Sequence, residues 1–548
     1  MPPVTTAVVP GNSACVATQA APRRLTQAQL VGVLTESVRT LVNDTALAQA
    51  VPQIVNNNAQ FPADKRVHPD ILRHGGFTRL DAALGTPHAE AMFDLANRLA
   101  GEMTANSTRV SALLRNCSGS VDACLTSFVQ RAGRLLLRRP MTTADTDFYR
   151  ALAGSSTSAT SLARVLSAMI ASPELLFIVE LGQPTSTGLC KTLTANELAN
   201  RLALHFWNSV PDQQLLDAAD NGSLLTPTVY RAQVERMVAD ARAESSVREF
   251  FRQWFWMDEV RPFDGRINDP KFTAFAGSYR PQASTRDAAI NETLDMVVYN
   301  AARNADLRAL VTDRRSFART SDIATLYNVP VWNGNDTPPT FPDADRVGLL
   351  TRVGFLANGS ADTTLPITRG YRVLAGLLCQ RVPPPPDNTI NPNADLSGLL
   401  STRERLERLT EMQGTSCRAC HAGSLNPWGF VMEGFDALGR VRTSEVIRDA
   451  SGAQLGVRPL NTSTTLVAGT MAPRTVSTAA QAQQYVLDSG LLEGCFAREY
   501  FRYTFARTDI AGDANLIGRL AGQARGTHTL RGLMAAIALQ PEFTSVPR

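Results

Sequence analysis

Apolar residues recur at three- and four-residue spacing through most of this chain, and this period predicts amphipathic helices. Four clear examples are residues 229–256, 288–301, 370–379 and 402–411. Thr26 with Gln29, and Thr194 with Glu197, form capping-box patterns directly before such helices. Residues 442–467 are richer in Val, Thr and Gly, which favours a small β-hairpin there. We therefore predict a mainly α protein.

One pentapeptide carries most of the chemical information: Cys417-Arg418-Ala419-Cys420-His421. This spacing is that of a c-type haem attachment site, in which two cysteine sulfurs form thioether bonds to the porphyrin and the histidine ligates the iron. A CxxC pair also occurs in redox disulfides and in zinc sites. The chain has no second CxxC pair, which disfavours a zinc ribbon. We predict one covalent haem c held by Cys417, Cys420 and His421.

Residues that follow the pentapeptide complete the candidate site. Asn426 and Pro427 are expected to set the loop after the histidine. Trp428, Arg440 and Arg442 are expected to meet the haem propionates, because an indole N–H and guanidinium groups donate hydrogen bonds to carboxylates. These five residues form the predicted cofactor-binding set together with Cys417, Cys420 and His421.

The second axial position of the iron is the open question of this site. Met471 is the candidate ligand, since a methionine thioether there raises the reduction potential for electron transfer. His205 and His528, both expected on helices, are alternative partners. Without a sixth ligand, the haem would be open to peroxide, oxygen or a small substrate, as in an oxidase or peroxidase.

The stretch from His421 to Arg442 resembles the signature of a family of large bacterial cytochrome c-like proteins, best known from planctomycetes and abundant in myxobacteria, that are assembled from domains of unknown function. The family pattern is CxxCH, then D-P-x-G-F, then L-E-x-F-D-x-x-G-x-x-R, and Asn426 stands here in place of the Asp. Other blocks similar to the family follow in the family's order at 128–142, 172–176, 193–212 and 346–351.

The chain departs from the family pattern at two further places. Members often carry a histidine shortly after the Arg-Glu-Arg element at 403–405, whereas this chain has none near Leu409. Ala506 stands where the family usually has Gly before Arg507. The resemblance implies an exported protein with covalent haem.

Composition narrows the function classes. The net charge of +4 is spread over 548 residues without a basic block, so we expect no nucleic-acid partner. No apolar run reaches the roughly 18 residues of a transmembrane helix, while peripheral or lipid-anchored membrane association through Cys15 stays open. Residues 1–22 show no secretory signal, yet haem c is attached after export. We therefore expect a mature or trimmed chain of the periplasm or cell surface.

The other cysteines fit an oxidising compartment if they pair. Cys117 and Cys124 bracket a short loop that allows a local disulfide, and Cys379 and Cys495 could pair across domains. The alternative for Cys190 and Cys379 is an isolated buried thiol, because free cysteine behaves as a small hydrophobe.

At about 150 residues per domain, the length predicts a multi-domain protein with a cytochrome c-like haem segment near the C-terminus. The expected parts are a flexible tail at 1–22, an N-terminal helical domain at 23–145, a central helical domain at 146–335, the CxxCH domain at 336–475 and a C-terminal helical domain at 476–548. The run Pro383–Pro386 predicts a stiff extended connector.

Three functions fit these observations. The first is an electron-transfer protein or the redox module of an oxidative system, with an unidentified redox partner or small-molecule substrate. The second is a helical binding scaffold in which the CxxCH patch is a disulfide or metal clip. The third is an open-haem oxidase or peroxidase.

Overall fold

The computed structural model describes residues 23–67, 75–184, 190–382, 394–526 and 528–547. Within these ranges the protein is mainly α-helical with a few short strands, which confirms the predicted fold class. The predicted tail with Cys15 and the connector Pro383–Pro386 lie outside the described residues. In the described part of the chain, every helix is too short or too polar to span a bilayer.

Buried side chains form two hydrophobic cores. The first gathers residues between Leu25 and Leu176, joined by Leu204 and Val210. The second gathers residues from Leu193 to Val546, joined by Phe77. The segments 146–335, 336–475 and 476–548 therefore share the second core across their predicted borders, and the division of the chain into folding units stays a prediction.

The first core is built by eight helices of the described N-terminal part and edged by the antiparallel pair of β1 and β2. The elements are β1 (Arg23–Arg24), α1 (Gln27–Val42), α2 (Thr45–Gln53), α3 (Thr86–Met103), α4 (Ser107–Leu114), α5 (Val121–Leu136), α6 (Thr143–Ala153), α7 (Ala159–Ile170), α8 (Pro173–Leu176) and β2 (Phe177–Ile178). A π-helical turn at Ile54–Asn58 extends α2.

The second core is surrounded by helices and three short strand pairs. Its helices before the CxxCH segment are α9 (Ala195–Phe206), α10 (Gln213–Asp220), α11 (Pro227–Ala239), α12 (Ala243–Trp254), α13 (Pro270–Ala276), α14 (Thr285–Ala302), α15 (Ala309–Thr312), α16 (Ser321–Tyr327), α17 (Val353–Leu356), α18 (Pro366–Tyr371) and α19 (Thr402–Thr410). The later helices are α20 (Ser416–Cys420), α21 (Asn426–Phe430), α22 (Ala479–Ser489), α23 (Leu491–Phe505), α24 (Ala514–Arg525) and α25 (Leu530–Ala538). Two π-helical turns, Arg372–Leu377 and His421–Leu425, follow α18 and α20.

Two strand pairs of this part join neighbouring segments of the chain, and one pair joins distant segments. Antiparallel pairs form between β3 (Cys190–Thr192) and β8 (Ser545–Pro547), between β4 (Ser444–Arg448) and β5 (Gln454–Pro459), and between β6 (Thr464–Leu466) and β7 (Arg474–Val476). The pair of β4 and β5 is the hairpin that the sequence predicts within 442–467. The pair of β3 and β8 ties the start of the second core to its end.

The predicted helix starts are confirmed at both capping boxes. The Thr26 and Thr194 hydroxyls accept hydrogen bonds from the backbone N–H groups of Gln29 and Glu197, whose side chains return the contact. The helical period over 229–256 is interrupted, because α11 ends before Asp240. The Asp240 carboxylate accepts from the backbone N–H of Arg242, an Asx-type contact that competes with helix continuation.

Two blocks that resemble the family pack on each other in the first core. The buried Arg138 guanidinium donates to the carbonyl oxygens of Glu174, Leu175 and Phe177 at 2.8, 2.7 and 2.6 Å. These carbonyls lie at the C-terminal end of α8, where a helix leaves acceptors unpaired. Arg138 therefore caps α8 and fixes the chain before it turns into β2.

Disulfide bonds form at both predicted pairs. Cys117 is bonded to Cys124, and Cys379 is bonded to Cys495 with their Cα atoms 5.2 Å apart. Cys190 is disulfide-bonded as well. The alternative of isolated buried thiols at Cys190 and Cys379 is therefore wrong: the π-helical turn after α18 brings Cys379 against α23, within bonding reach of Cys495.

Glu180 joins three distant parts of the chain. Its carboxylate accepts from Arg23 at 2.6 Å and from Arg201 at 2.7 Å, while Arg201 also donates to the carbonyl of Phe543. Burial raises the pKa of Glu180, but the charges of Arg201 and Arg23 outweigh burial and lower the pKa to about 2. A carboxyl group with a depressed pKa stabilises the fold in its ionised form.

We expect Glu180→Gln to make the free energy of unfolding depend less on pH in the acid range. In the parent, this stabilisation of about 3 kcal/mol is fully present above pH 4.5 and is lost as the pH falls towards 2. The free energy of unfolding, measured with urea at pH 7, 5, 4 and 3, should therefore differ most between parent and variant at pH 7, and the difference should narrow as the pH falls to 3. Glu36→Gln, at an exposed pair with Arg39, is the matched control. A difference that is equal at every pH would contradict this prediction.

Ala506 ends α23 in a conformation that suits glycine. Its backbone has φ 51° and ψ 40°, the left-handed region that L-residues adopt at a cost of roughly 1–2 kcal/mol. This is the position where the family usually carries Gly.

We expect Ala506→Gly to stabilise the protein by about 1 kcal/mol, because glycine adopts positive φ without a Cβ clash. Ala302→Gly, at the exposed last residue of α14, is the control and should destabilise by up to about 1 kcal/mol. Thermal unfolding of the two variants beside the parent measures both effects. A lower midpoint for Ala506→Gly would show that the strain is absent.

Candidate functional site

The CxxCH pentapeptide lies on one continuous helical path formed by α20, the π-helical turn His421–Leu425 and α21. Cys417 and Cys420 are free, half-buried thiols. Residues three apart on a helix share a face, so both sulfurs point to the same side. A π-helical turn inside an α-helix frequently marks a functional position, and here it begins at the histidine.

The histidine ring is held in one tautomer by Asn426. The Asn426 amide nitrogen donates to Oγ1 of Thr410 at 2.9 Å and to Oε1 of Glu411 at 2.7 Å. Since a carboxylate only accepts, the amide oxygen is the atom that faces Nδ1 of His421, at 3.1 Å. Nδ1 therefore carries the proton, and the lone pair of Nε2 is left for a ligand bond.

This tautomer is the one that a proximal histidine requires. Metal-ligating histidines donate the other ring N–H to a carbonyl or carboxylate oxygen, which orients the ring and raises its basicity. Asn426 itself is fully buried. The residues present thus fit a haem iron on Nε2 of His421, with two thiols on the same helix for the thioether bonds.

The candidate site is anchored by a backbone-to-backbone contact between α18 and α21. A Cβ on Gly370 would collide with the carbonyl oxygen of Leu425, and a Cβ on Gly429 would collide with the carbonyl oxygen of Pro366. Only glycine permits so close an approach. The π-helical turn that carries His421 is therefore set against α18 at a fixed distance.

A buried ion network holds the loop after α21. The Glu433 carboxylate accepts from Thr364 Oγ1 at 2.8 Å, from Arg442 at 2.8 Å and from Arg369 at 3.3 Å. Burial raises the pKa of Glu433 even though Arg442 and Arg369 oppose the rise. Asp436 accepts from two backbone N–H groups of the same loop. Both carboxylates therefore stabilise the loop.

The residues expected at the haem propionates have protein partners in the structure. Trp428 is buried and its indole N–H donates to the carbonyl of Val467 at 3.2 Å. Arg440 pairs with Asp436 and also donates to the carbonyls of residues 275 and 276. Arg442 pairs with Glu433. Pro427 is the second residue of α21, directly after the π-helical turn. A propionate contact of these groups stays a prediction.

The candidate sixth ligands lie in different surroundings. Met471 is partly buried against the second core, in the turn after β6. Nε2 of the buried His205 lies 3.0 Å from the Tyr500 hydroxyl, and burial together with nearby arginines lowers the pKa of His205 well below its ordinary value. His528 lies in the connection before α25 and not on a helix, so that expectation was wrong. Ligation by any of them stays a prediction.

Fold and site together define a mainly α-helical, multi-domain protein with a CxxCH helix packed into its larger core. Residues 193–329 match the family model PSD4, described as a protein of unknown function (DUF1592), and residues 346–445 match PSCyt3, described as a protein of unknown function (DUF1588). These matches support the predicted family of domains of unknown function. No curated protein and no solved structure matches the chain.

We expect Asn426→Leu to shift His421 from the Nδ1–H tautomer to the Nε2–H tautomer, because leucine offers no acceptor to Nδ1–H. In the haem-free protein, ¹⁵N chemical shifts should place the proton of His421 on Nδ1 in the parent and on Nε2 in the variant at pH above 8. His421→Gln assigns the signal, and Ser424→Ala, whose hydroxyl donates to the Cys420 carbonyl, is the control. An Nε2–H tautomer in the parent would contradict this prediction.

Proposed function

We propose that this protein is a c-type haem protein of the cell envelope that transfers electrons. In this proposal Cys417 and Cys420 hold the porphyrin through thioether bonds and His421 ligates the iron. The observation that carries the proposal is the arrangement of two free thiols one helical turn apart, followed at once by a histidine whose Nδ1–H is held by Asn426.

The chain's own residues would contribute orientation and shielding. Asn426 holds the proton on Nδ1 and keeps the ring of His421 in place, and Thr410 with Glu411 holds Asn426. Buried apolar side chains of α21, among them Trp428 and Phe430, keep water from the inner side of this segment. The haem would supply a one-electron centre, whose potential depends on axial ligation and burial.

Several observations support an exported location. Disulfide bonds persist in oxidising compartments, and this chain bonds Cys117 to Cys124, Cys379 to Cys495, and Cys190 as well. Attachment of haem c takes place in the same compartment. We place the protein in the periplasm or at the cell surface, with peripheral or lipid-anchored membrane association left to experiment and the redox partner unidentified.

The alternative of a binding scaffold with a disulfide or metal clip has less support. Cys417 and Cys420 are separate thiols, whereas the other paired cysteines are bonded. The family model that matches the segment with the pentapeptide is named PSCyt3, which suggests a cytochrome-like domain. These two points favour haem over a clip.

A pyridine haemochrome spectrum tests the cofactor. Full-length protein, exported to the periplasm with the haem-attachment machinery, should give a c-type band that survives denaturation and extraction. Cys417→Ser with Cys420→Ser should abolish the covalent band, because both thioether bonds are removed. The matched control is Cys117→Ser with Cys124→Ser, which removes two cysteines from a distant disulfide and should keep the band. A folded, exported parent without the band would overturn the proposal.

Carbon monoxide distinguishes electron transfer from open-haem chemistry. If Met471 is the sixth ligand, the reduced parent should bind carbon monoxide weakly and Met471→Ala should bind it at least tenfold more tightly, since the position becomes free. Met412→Ala, at an exposed methionine after α19, is the control. Tight binding by the parent itself would favour the oxidase or peroxidase function instead.

A further inference from the structure

A cavity of about 210 Å³ lies between the two segments that match family models. Glu259 and Arg261 line it from the segment 193–329, and Phe355, Asn358, Thr368 and Arg372 line it from the segment 346–445. Its volume is below the roughly 300–1,000 Å³ of sites for drug-sized ligands. The cavity therefore suits a small ligand.

Arg372 is the unusual residue of this cavity. Its side chain is only 7% exposed, and its Nη1 donates to the carbonyl of Phe355 at 3.0 Å. Its Nε has no hydrogen-bond partner among the described residues, and no carboxylate there lies within ion-pair distance of the guanidinium. A buried charge without a partner is costly, so a complementary group is expected beside it.

Two other buried arginines in the same region have more hydrogen-bond and ion-pair partners in the protein than Arg372 has. Arg369, three residues earlier, also borders the cavity, but it donates to Glu433 and to four backbone carbonyls. The Nε of the buried Arg352 also lacks a hydrogen-bond partner among the described residues, but this guanidinium is paired with Glu292 at 2.6 Å. Arg372 differs from both because the protein supplies one carbonyl and no carboxylate within bonding distance.

The charge around the cavity is positive. Arg261 stands exposed at its mouth and donates to Oδ1 of Asn358 at 3.2 Å. Glu259 is the acidic residue in the lining, and its carboxylate already accepts from the N–H of Gly75 and lies 3.8 Å from Arg66. Burial lowers the pKa of Arg372, the charge of Glu259 opposes this, and the charges of Arg261 and Arg66 lower it further. An anion in the cavity would relieve that repulsion.

We propose that this cavity binds a small oxyanion, a carboxylate or a phosphate, on the guanidinium groups of Arg372 and Arg261. Planar guanidinium groups match the geometry of both oxyanions. The buried Arg372 holds the inner end of the ligand and Arg261 closes over the outer end, while Phe355 supplies an apolar wall. The site lies on the π-helical turn after α18, a type of irregularity that is frequent at binding positions.

Isothermal titration calorimetry on the full chain tests this proposal at constant ionic strength. The probes are succinate for carboxylates and inorganic phosphate for phosphates. We expect saturable one-site binding of at least one probe, with affinity lowered about tenfold or more in Arg372→Gln and severalfold in Arg261→Gln. Arg519→Gln, at an exposed pair with Glu542 outside the cavity, should leave the affinity unchanged. Succinate binding alone assigns a carboxylate ligand, and phosphate binding alone assigns a phosphate.

Folding of the variants is checked by circular dichroism before titration. If Arg372→Gln does not fold, Arg261→Gln decides the test, because its side chain is exposed and its removal leaves the core intact. The absence of saturable heat with both probes overturns the proposal. Equal weakening in Arg261→Gln and Arg519→Gln overturns it too, since this would show general attraction to a positively charged protein.

Discussion

The close contact of two short helices, α18 and α21, is the constraint on which the candidate site depends. Gly370 and Gly429 let the two backbones touch, and a side chain at either position would push the helices apart. Such a contact cannot yield gradually, because packed interiors have little free volume. The CxxCH helix and its histidine therefore inherit their position from α18, and through α18 from the larger core.

Buried arginine side chains stabilise several irregular segments of this protein by donating hydrogen bonds to backbone carbonyls. Arg138 caps α8, Arg369 holds the loop after α21, and the buried Arg346 donates to the carbonyls of Thr351 and Gly439. One guanidinium offers five donors in a plane, so it can satisfy several carbonyls that turn away from regular structure. The chain contains only three lysines, at positions 65, 191 and 271. Arginine content alone therefore carries no functional information, and Arg372 stands out because it is buried beside a cavity with one backbone carbonyl as its hydrogen-bond partner.

The helical period and the turn chemistry predicted a large part of the fold. The capping boxes at Thr26 and Thr194, the hairpin within 442–467 and the two disulfide pairs are local or chemically specific signals, and all are confirmed. The break at Asp240 was missed, because one side-chain contact overrides a continuing apolar period. The shared core of the later segments was missed too, since long-range packing leaves no trace in sequence spacing.

The sequence likewise predicted one part of the candidate site and missed another. The pentapeptide and Asn426 stand out by spacing, whereas Thr410 and Glu411, which orient the Asn426 amide, belong to no recognisable pattern. These two residues directly follow Leu409, the place where the family often carries a histidine that this chain lacks. The sequence alone showed only that this histidine is missing. The structure shows that the end of α19 still reaches the pentapeptide, through a hydroxyl and a carboxylate that act on Asn426.

The size of the helical body has a physical reason in this arrangement. A simple haem shuttle can enclose its cofactor in a small domain of its own, but here α21 contributes to a core that also contains residues from Leu193 to Val546, and Cys420 at the end of α20 packs against that core. The disulfide between Cys379 and Cys495 links the turn after α18 to the C-terminal part. The position of His421 therefore depends on the packing of the second core. Cys417 and Cys420, by contrast, are only partly buried, and Cys420 also packs against the second core. Under the proposed function, a haem would reach these thiols after the rest of the chain has folded.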